Sequence, residues 1–236
     1  MTAMTPGGCF TILRNSKVRR LCFPCLATAI LALLPGICAL RAQENPSVPR
    51  ITFTKTLKDS SPEYMALTID ANGKGSYDSH RLNEPPAPRS LQISAATTDR
   101  IFSLAQDLYY FQSLDLDSHH RVANLGLKTL TYEVGAVINR VQYNYTENRV
   151  GQQLTEMLEK IGNVEERISL LEYDMKYDHL SLPQLLSEIQ DGMREHDYLE
   201  AALMIPTLEK ISSNPRFLHL AQSRAQEIMQ LIQDNK

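Results

Sequence analysis

From Arg50 onward, apolar and polar residues alternate with a period of two. Ile51, Phe53 and Leu57 fall on one side of "RITFTKTL", with Lys55 interrupting that side. This is the spacing of a strand buried on one face. In residues 63–70, "EYMALTID", Tyr64, Ala66 and Thr68 alternate with Met65, Leu67 and Ile69. Asn72-Gly73 comes next, a pair that supplies the positive φ angles of a tight hairpin turn. Residues 63–70 and 74–79 are therefore expected to pair antiparallel. The stretch "NEPPAPRS", residues 83–90, is expected to be a loop, because proline brings no backbone donor to a central strand.

At Ser94 the period lengthens to that of a helix. "SAATTDRIFSLAQDLYYF" places Ile101, Leu104, Ala105 and Leu108 on one face, with Asp99 early, where the helix dipole favours it. The loop "QSLDLDSHHRVANLG" leads to two more strand patterns, "LKTLTYEV" and "AVINRVQYNY", on either side of Gly135. Thr129, Thr131, Val137, Val141 and Tyr145 are good strand formers. Thr146 is expected to cap a second helix with Val150, Leu154, Met157, Leu158 and Ile161 as its buried stripe, and Gly162 is expected to stop it. Residues 50–162 thus read as β-β-β-α-β-β-α. That order predicts an α+β domain, an antiparallel sheet with two helices on one face.

Residues 163–236 hold no strand pattern and read as a helical domain, a small bundle or helical hairpins. Val164, Ile168, Leu171 and Met175 form one stripe. "SLPQ", Ser181 to Gln184, has the spacing of a capping box, followed by Leu182, Leu185, Leu186, Ile189 and Met193. A further helix is expected from Asp197, broken or kinked at Pro206. Asn214-Pro215 is expected to open the last one, with Phe217, Ala221, Ala225, Ile228 and Ile232 as its stripe.

The start of the chain differs from all of this. Arg14, Lys17, Arg19 and Arg20 precede an apolar run from Leu21 to Leu40, and "RAQENPSVP" follows. A basic head, an apolar centre and a small residue before a polar stretch make an export signal. It is expected to span residues 1–42 and to be cleaved after Ala42, leaving residues 43–49 as a linker. The alternative is an uncleaved anchor helix, which residues 21–40 are long enough to form, although Pro24, Pro35 and Gly36 interrupt it. Either way the later residues are expected outside the cytoplasm, in a periplasmic or extracellular space. All 4 cysteines, Cys9, Cys22, Cys25 and Cys38, lie in this segment. The exported part then has no thiol for catalysis, metal binding or disulfides.

Charge narrows the partners. Five of the 24 basic residues and none of the 27 acidic ones fall in the first 42 positions, so the remainder carries a formal charge of −8. Phosphate backbones demand clustered Lys and Arg, so nucleic acid is not an expected partner. A membrane is expected to be met only through the N-terminal segment, if it is uncleaved.

Candidate chemistry is sparse. Asp115, Asp117, His119 and His120 in "DLDSHH" are the densest group of metal-ligand side chains, against the ordinary reading of a solvated loop. "DANGKGSYDSHR" resembles a calcium loop at Asp70, Asn72, Gly75 and Asp78, but Lys74 and Arg81 replace two of the required oxygen ligands. Tyr173 and Tyr177, with Asp174 and Asp178, make two neighbouring ridges of one helix. Such a strip suits a partner or a basic peptide, while packing over the sheet domain is its ordinary outcome. "NYT", Asn144 to Thr146, is a glycosylation sequon by pattern. His179, His196 and His219 read as surface or packing residues. No GxSxG, HExxH, phosphate-binding or dinucleotide motif follows the signal, and no cofactor is expected.

The strings "TTDRIFSLAQDLYYF", "VANLGLKTLTYEVGAVINRVQYNYTENRVGQQLTEMLEKI" and "LLEYDMKYDHLSLPQLL" resemble a recurrent domain of exported bacterial proteins of unknown function and its extension. The resemblance implies a bacterial envelope protein without glycosylation at Asn144, and it transfers no activity. The leading expectation is a non-enzymatic binding or scaffolding module with a protein or glycan partner. The alternatives are a hydrolase with dispersed carboxylates and histidines, with or without a metal ion, and an inhibitor-like module blocking a partner enzyme.

Overall fold

A computed structural model describes residues 48–234. The expected export segment and most of the expected linker lie outside the described residues. Among the described residues, no helix is long and apolar enough to cross a membrane.

Four strands come first: β1 (Arg50–Thr56), β2 (Tyr64–Asp70), β3 (Lys74–His80) and β4 (Arg89–Gln92). Helix α1 (Ala95–Asp107) then leads to β5 (Leu127–Val134) and β6 (Val137–Tyr143). The six strands form one sheet in the order β4-β3-β2-β1-β5-β6, and every pairing is antiparallel. Helix α2 (Arg149–Tyr177) follows, then α3 (Leu182–Arg194), α4 (Ile205–Ser213) and α5 (His219–Asp234). The α+β architecture with C-terminal helices is the one the hydrophobic pattern predicts.

Alternation sets the first core. Ile51, Phe53, Leu67, Ile69 and Leu130 are completely buried, and they meet Ile101 and Leu104 of α1 and Leu154, Leu158 and Ile161 of α2. Each such side chain contributes about 1.5–3 kcal/mol relative to exposure. Lys55 lies on the same side of its strand, and Glu159 of α2 meets its ammonium at 2.8 Å. The opposite face of the sheet carries a row of hydroxyls, Ser90, Ser76, Thr68, Thr52 and Thr131, aligned by register across five strands.

A second core lies under the helices. Val164, Ile168 and Leu171 of α2 pack with Leu186 and Ile189 of α3, Leu208 of α4 and Ile228 of α5. Leu203 touches both cores, and Arg89 of β4 reaches Ser169 at 2.9 Å and Glu172 at 3.2 Å.

Several local expectations are corrected. The proline-rich loop ends two residues early, because Arg89 and Ser90 already belong to β4, a short edge strand that proline can precede. The β2–β3 turn is three residues long, with Gly73 at φ 76 and Asn72 not in the left-handed region. Asp70 Oδ1 accepts the Asn72 and Lys74 N–H groups, so this carboxylate braces a turn. The first helix stops at Asp107, and Tyr109, Tyr110 and Phe111 turn left-handed at φ 51, 51 and 63. Phe111 is buried in the first core, and Tyr110 stacks on Tyr132 with ring centres 4.5 Å apart. These contacts hold a backbone conformation that costs about 1–3 kcal/mol per residue.

Asn148, rather than Thr146, caps α2, accepting from the Val150 and Gly151 N–H groups at 2.9 and 3.0 Å. Thr146 Oγ1 accepts the Asn148 N–H one step earlier. Gly162 does not stop the helix, which runs 29 residues through both cores. Its missing side chain makes room for the sheet: a Cβ there would stand 2.6 Å from Met65 Sδ. The capping box at Ser181 does not form. Ser181 Oγ donates to Asp178 and Gln184 donates to Glu188. Pro206 sits in the first turn of α4, where its missing donor is harmless, so it starts a helix instead of breaking one. Asn214 forms a turn ahead of α5, with its side chain accepting the Arg216 N–H.

Candidate functional site

The loop after α1 does not gather its ligand candidates. His119 Nε2 lies 2.8 Å from Asp115 Oδ2, while His120 turns to Glu147 at 3.0 Å. Asp117 accepts the backbone N–H groups of His119 and Asn144 at 2.8 Å each. The two imidazoles thus serve different carboxylates, and among the described residues no group of three His, Cys, Asp or Glu side chains is placed to hold a metal ion. The hydrogen bond from His119 holds the Asp115 carboxyl below its usual pKa range, and the same bond raises His119. Backbone N–H donors, first that of Asn144, lower Asp117. These are the marks of a braced loop.

Asn144 belongs to the same brace. Its side chain accepts the Leu125 N–H at 2.8 Å and donates to the Ala123 carbonyl at 2.9 Å. The sequon amide is committed to holding residues 123–125. His179 Nε2 donates to the Met175 carbonyl and the ring meets Phe217 edge-on, a packing role. His196 and His219 are exposed.

The tyrosine strip is where the structure departs most from the ordinary reading. Tyr173 and Tyr177 are 58% and 63% exposed and cover neither core. The reason is rotational: Ile168 and Leu171 take the inward positions of this part of α2, and α3 packs on that side. The tyrosine rings stand 5.0 Å apart at 47°, and Lys176 lies over the Tyr177 ring at 4.7 Å.

Two apolar residues extend the strip, and the sequence reading did not include them. Leu170 is 39% and Leu180 78% exposed. Positions 170, 173 and 177 follow the 3-4 spacing of a helix seam that packs against another helix, and Leu180 lies just past the end of α2, in the turn before α3. That spacing was present in the sequence, but the inward stripe of the same helix masked it.

The acidic flank is uneven. Asp178 accepts from Ser181 Oγ at 2.7 Å, and Glu172 pairs with Arg89. Asp174 has no side-chain partner among the described hydrogen bonds and ion pairs. Burial raises the pKa of its carboxyl, and the neighbouring Asp178 charge raises it further. Asp174, Leu170, Gln184, Leu185 and Glu188 line a shallow groove of about 220 Å³ between α2 and α3. An apolar seam beside an under-neutralised carboxylate suits an amphipathic segment carrying positive charge.

Neither a scan against protein-family models nor a search of curated proteins finds a match for this chain.

Proposed function

We propose that this protein is a non-enzymatic binding or scaffolding module of a bacterial cell envelope, and that it docks a basic amphipathic segment of a partner protein on the second half of α2. The exposed seam of Leu170, Tyr173, Tyr177 and Leu180 carries the reading. Exposed tyrosines add contact area at low entropic cost and are enriched where proteins bind one another. Asp174 and Asp178 give the seam its preference for a positively charged partner. The export signal read at residues 1–42 and the resemblance to exported bacterial domains support the envelope assignment.

Residues 43–236 and a labelled basic amphipathic helical peptide provide the test, with a peptide of the same length bearing acidic residues in place of the basic ones. Fluorescence anisotropy is expected to show binding of the basic peptide alone. Tyr173→Ser with Tyr177→Ser is expected to weaken it at least about tenfold, since buried interface tyrosines commonly contribute 1–2 kcal/mol or more. The same double variant is expected to unfold within about 0.5 kcal/mol of the parent, because both rings are exposed. Equal binding of the two peptides, or full binding by the double variant, overturns the reading. Capture of a sugar polymer in place of any peptide would move it to a glycan partner.

A further inference from the structure

A cleft of about 750 Å³ opens at the seam between the two cores. Clefts of this size, where two packed units meet, are the usual seats of small ligands. Its walls come from the start of α1, the end of α3, the segment 196–202 and the last turns of α5. Met193, Tyr198, Leu199 and Ile232 give it an apolar wall, and Ser94, Thr97, His196 and Glu200 line the polar remainder.

One end is polar and fixed. The Glu200 carboxylate accepts the Ser94 hydroxyl at 2.5 Å and the Ser94 N–H at 3.2 Å. A carboxylate offers about four acceptor positions, so roughly half remain open. Glu200 makes no ion pair among the described residues, and no lysine or arginine lines the cleft. Two residues of the wall, His196 and Glu200, lie in the left-handed region at φ 59 and 65. Non-glycine residues pay for that conformation, and such positions concentrate at ligand clamps. The strain and the Ser94 bonds together hold the carboxylate in place before any ligand arrives, which lowers the ordering cost of binding.

We propose that this cleft binds a small amphiphile, with its apolar body against Met193, Tyr198 and Ile232 and a cationic amine paired with Glu200. An anion is excluded by the same carboxylate, and a neutral molecule forfeits the charge-assisted bond. The site lies apart from the α2 seam and stands or falls independently of it.

Three probes of one chain length decide the matter: n-octylammonium, n-octanol and n-octanoate, titrated against residues 43–236. The readout is the NMR shift of the Met193 and Ile232 methyl groups. Octylammonium is expected to saturate these shifts and to bind about tenfold tighter than octanol, the ratio expected when a hydrogen bond gains a charged partner. Octanoate is expected not to bind. Glu200→Gln is expected to bring the amine down to the level of octanol. Ala202→Trp, at an exposed position of the cleft wall, is expected to abolish binding of both. Equal affinities, tighter binding of octanoate, absence of saturable shifts, or unchanged binding in Ala202→Trp overturns the proposal. Should Glu200→Gln fail to fold, the amine-to-alcohol ratio of the parent and the Ala202→Trp result still decide it.

Discussion

Glu165 is the most deeply buried acidic residue described, with 4% of its surface exposed, on α2 near Arg89. Burial raises the pKa of its carboxyl, Arg89 opposes the rise and Glu172 adds to it. A group whose pKa is higher in the folded state stabilises the fold below its unfolded pKa, and that contribution is lost as pH rises through the folded value. At neutral pH, above its unfolded pKa, Glu165 therefore costs the fold stability. Glu165→Gln is expected to melt higher than the parent at pH 7, with the gap closing as pH falls toward 4.5. Thermal melts across that range check it, and equal melting temperatures at pH 7 would refute it. Asp115 and Asp117 have the opposite sign, because their lowered pKa values give stability that is lost as pH falls. Comparing variant with parent at each pH cancels their effect. Gly75 makes a different point at the same scale. A Cβ there would stand 2.0 Å from the Thr68 carbonyl oxygen of the neighbouring strand. Backbone does not yield as a flexible side chain does, so Gly75→Ala is expected to cost about 3 kcal/mol or more in a urea titration.

Among the elements, α2 joins the two halves. Its 29 residues span about 43 Å, its first half buried on the sheet and its second half on the bundle. Asn148→Ala removes the cap of this helix and is expected to cost about 1 kcal/mol, read from the denaturation midpoint. Tyr143 reinforces the same end. Thr155 Oγ1 donates to the Gly151 carbonyl at 2.6 Å, so the Tyr143 hydroxyl 2.5 Å away must donate to Thr155. Much of the element layout was legible in the sequence. The alternation of Ile51 and Phe53, the β2–β3 hairpin, the helix start at Ser94 and the inward stripe of α2 are all where period and composition put them. The misses have local physical causes. Strand β4 is too short to show alternation. Gly162 carries the signature of a helix stop, yet it serves the close approach of Met65, a contact between distant residues that no local pattern encodes. Pro206 is ambiguous by itself, because the same ring that breaks a helix interior suits a first turn. Of the candidate site, the Tyr and Asp ridges were legible, but their exposure was not. Whether a stripe faces a core or solvent depends on which side α3 chooses.

For the whole molecule, a shared helix has a thermodynamic consequence. Two cores linked only by a flexible tether can melt separately, but here neither core is complete without its half of α2. Residues 43–236 are expected to unfold in one transition, with circular dichroism and tyrosine fluorescence tracing the same curve. A fragment ending at residue 180 exposes Val164, Ile168 and Leu171, and is expected to associate or melt well below the parent. Two resolved transitions would show that the cores are independent. The position of β1 has its own consequence. The first strand of the described residues lies inside the sheet, between β2 and β5. A chain that emerges N-terminus first can pair β1 with β2 at once, but the other edge of β1 stays bare until residues 127–134 have followed. Over that interval the nascent sheet presents an unpaired edge and an uncovered apolar face, the combination that invites association with other chains. The order of emergence therefore places the most vulnerable moment of this protein's life before β5 arrives, and a holding chaperone would be needed then rather than after the bundle is made.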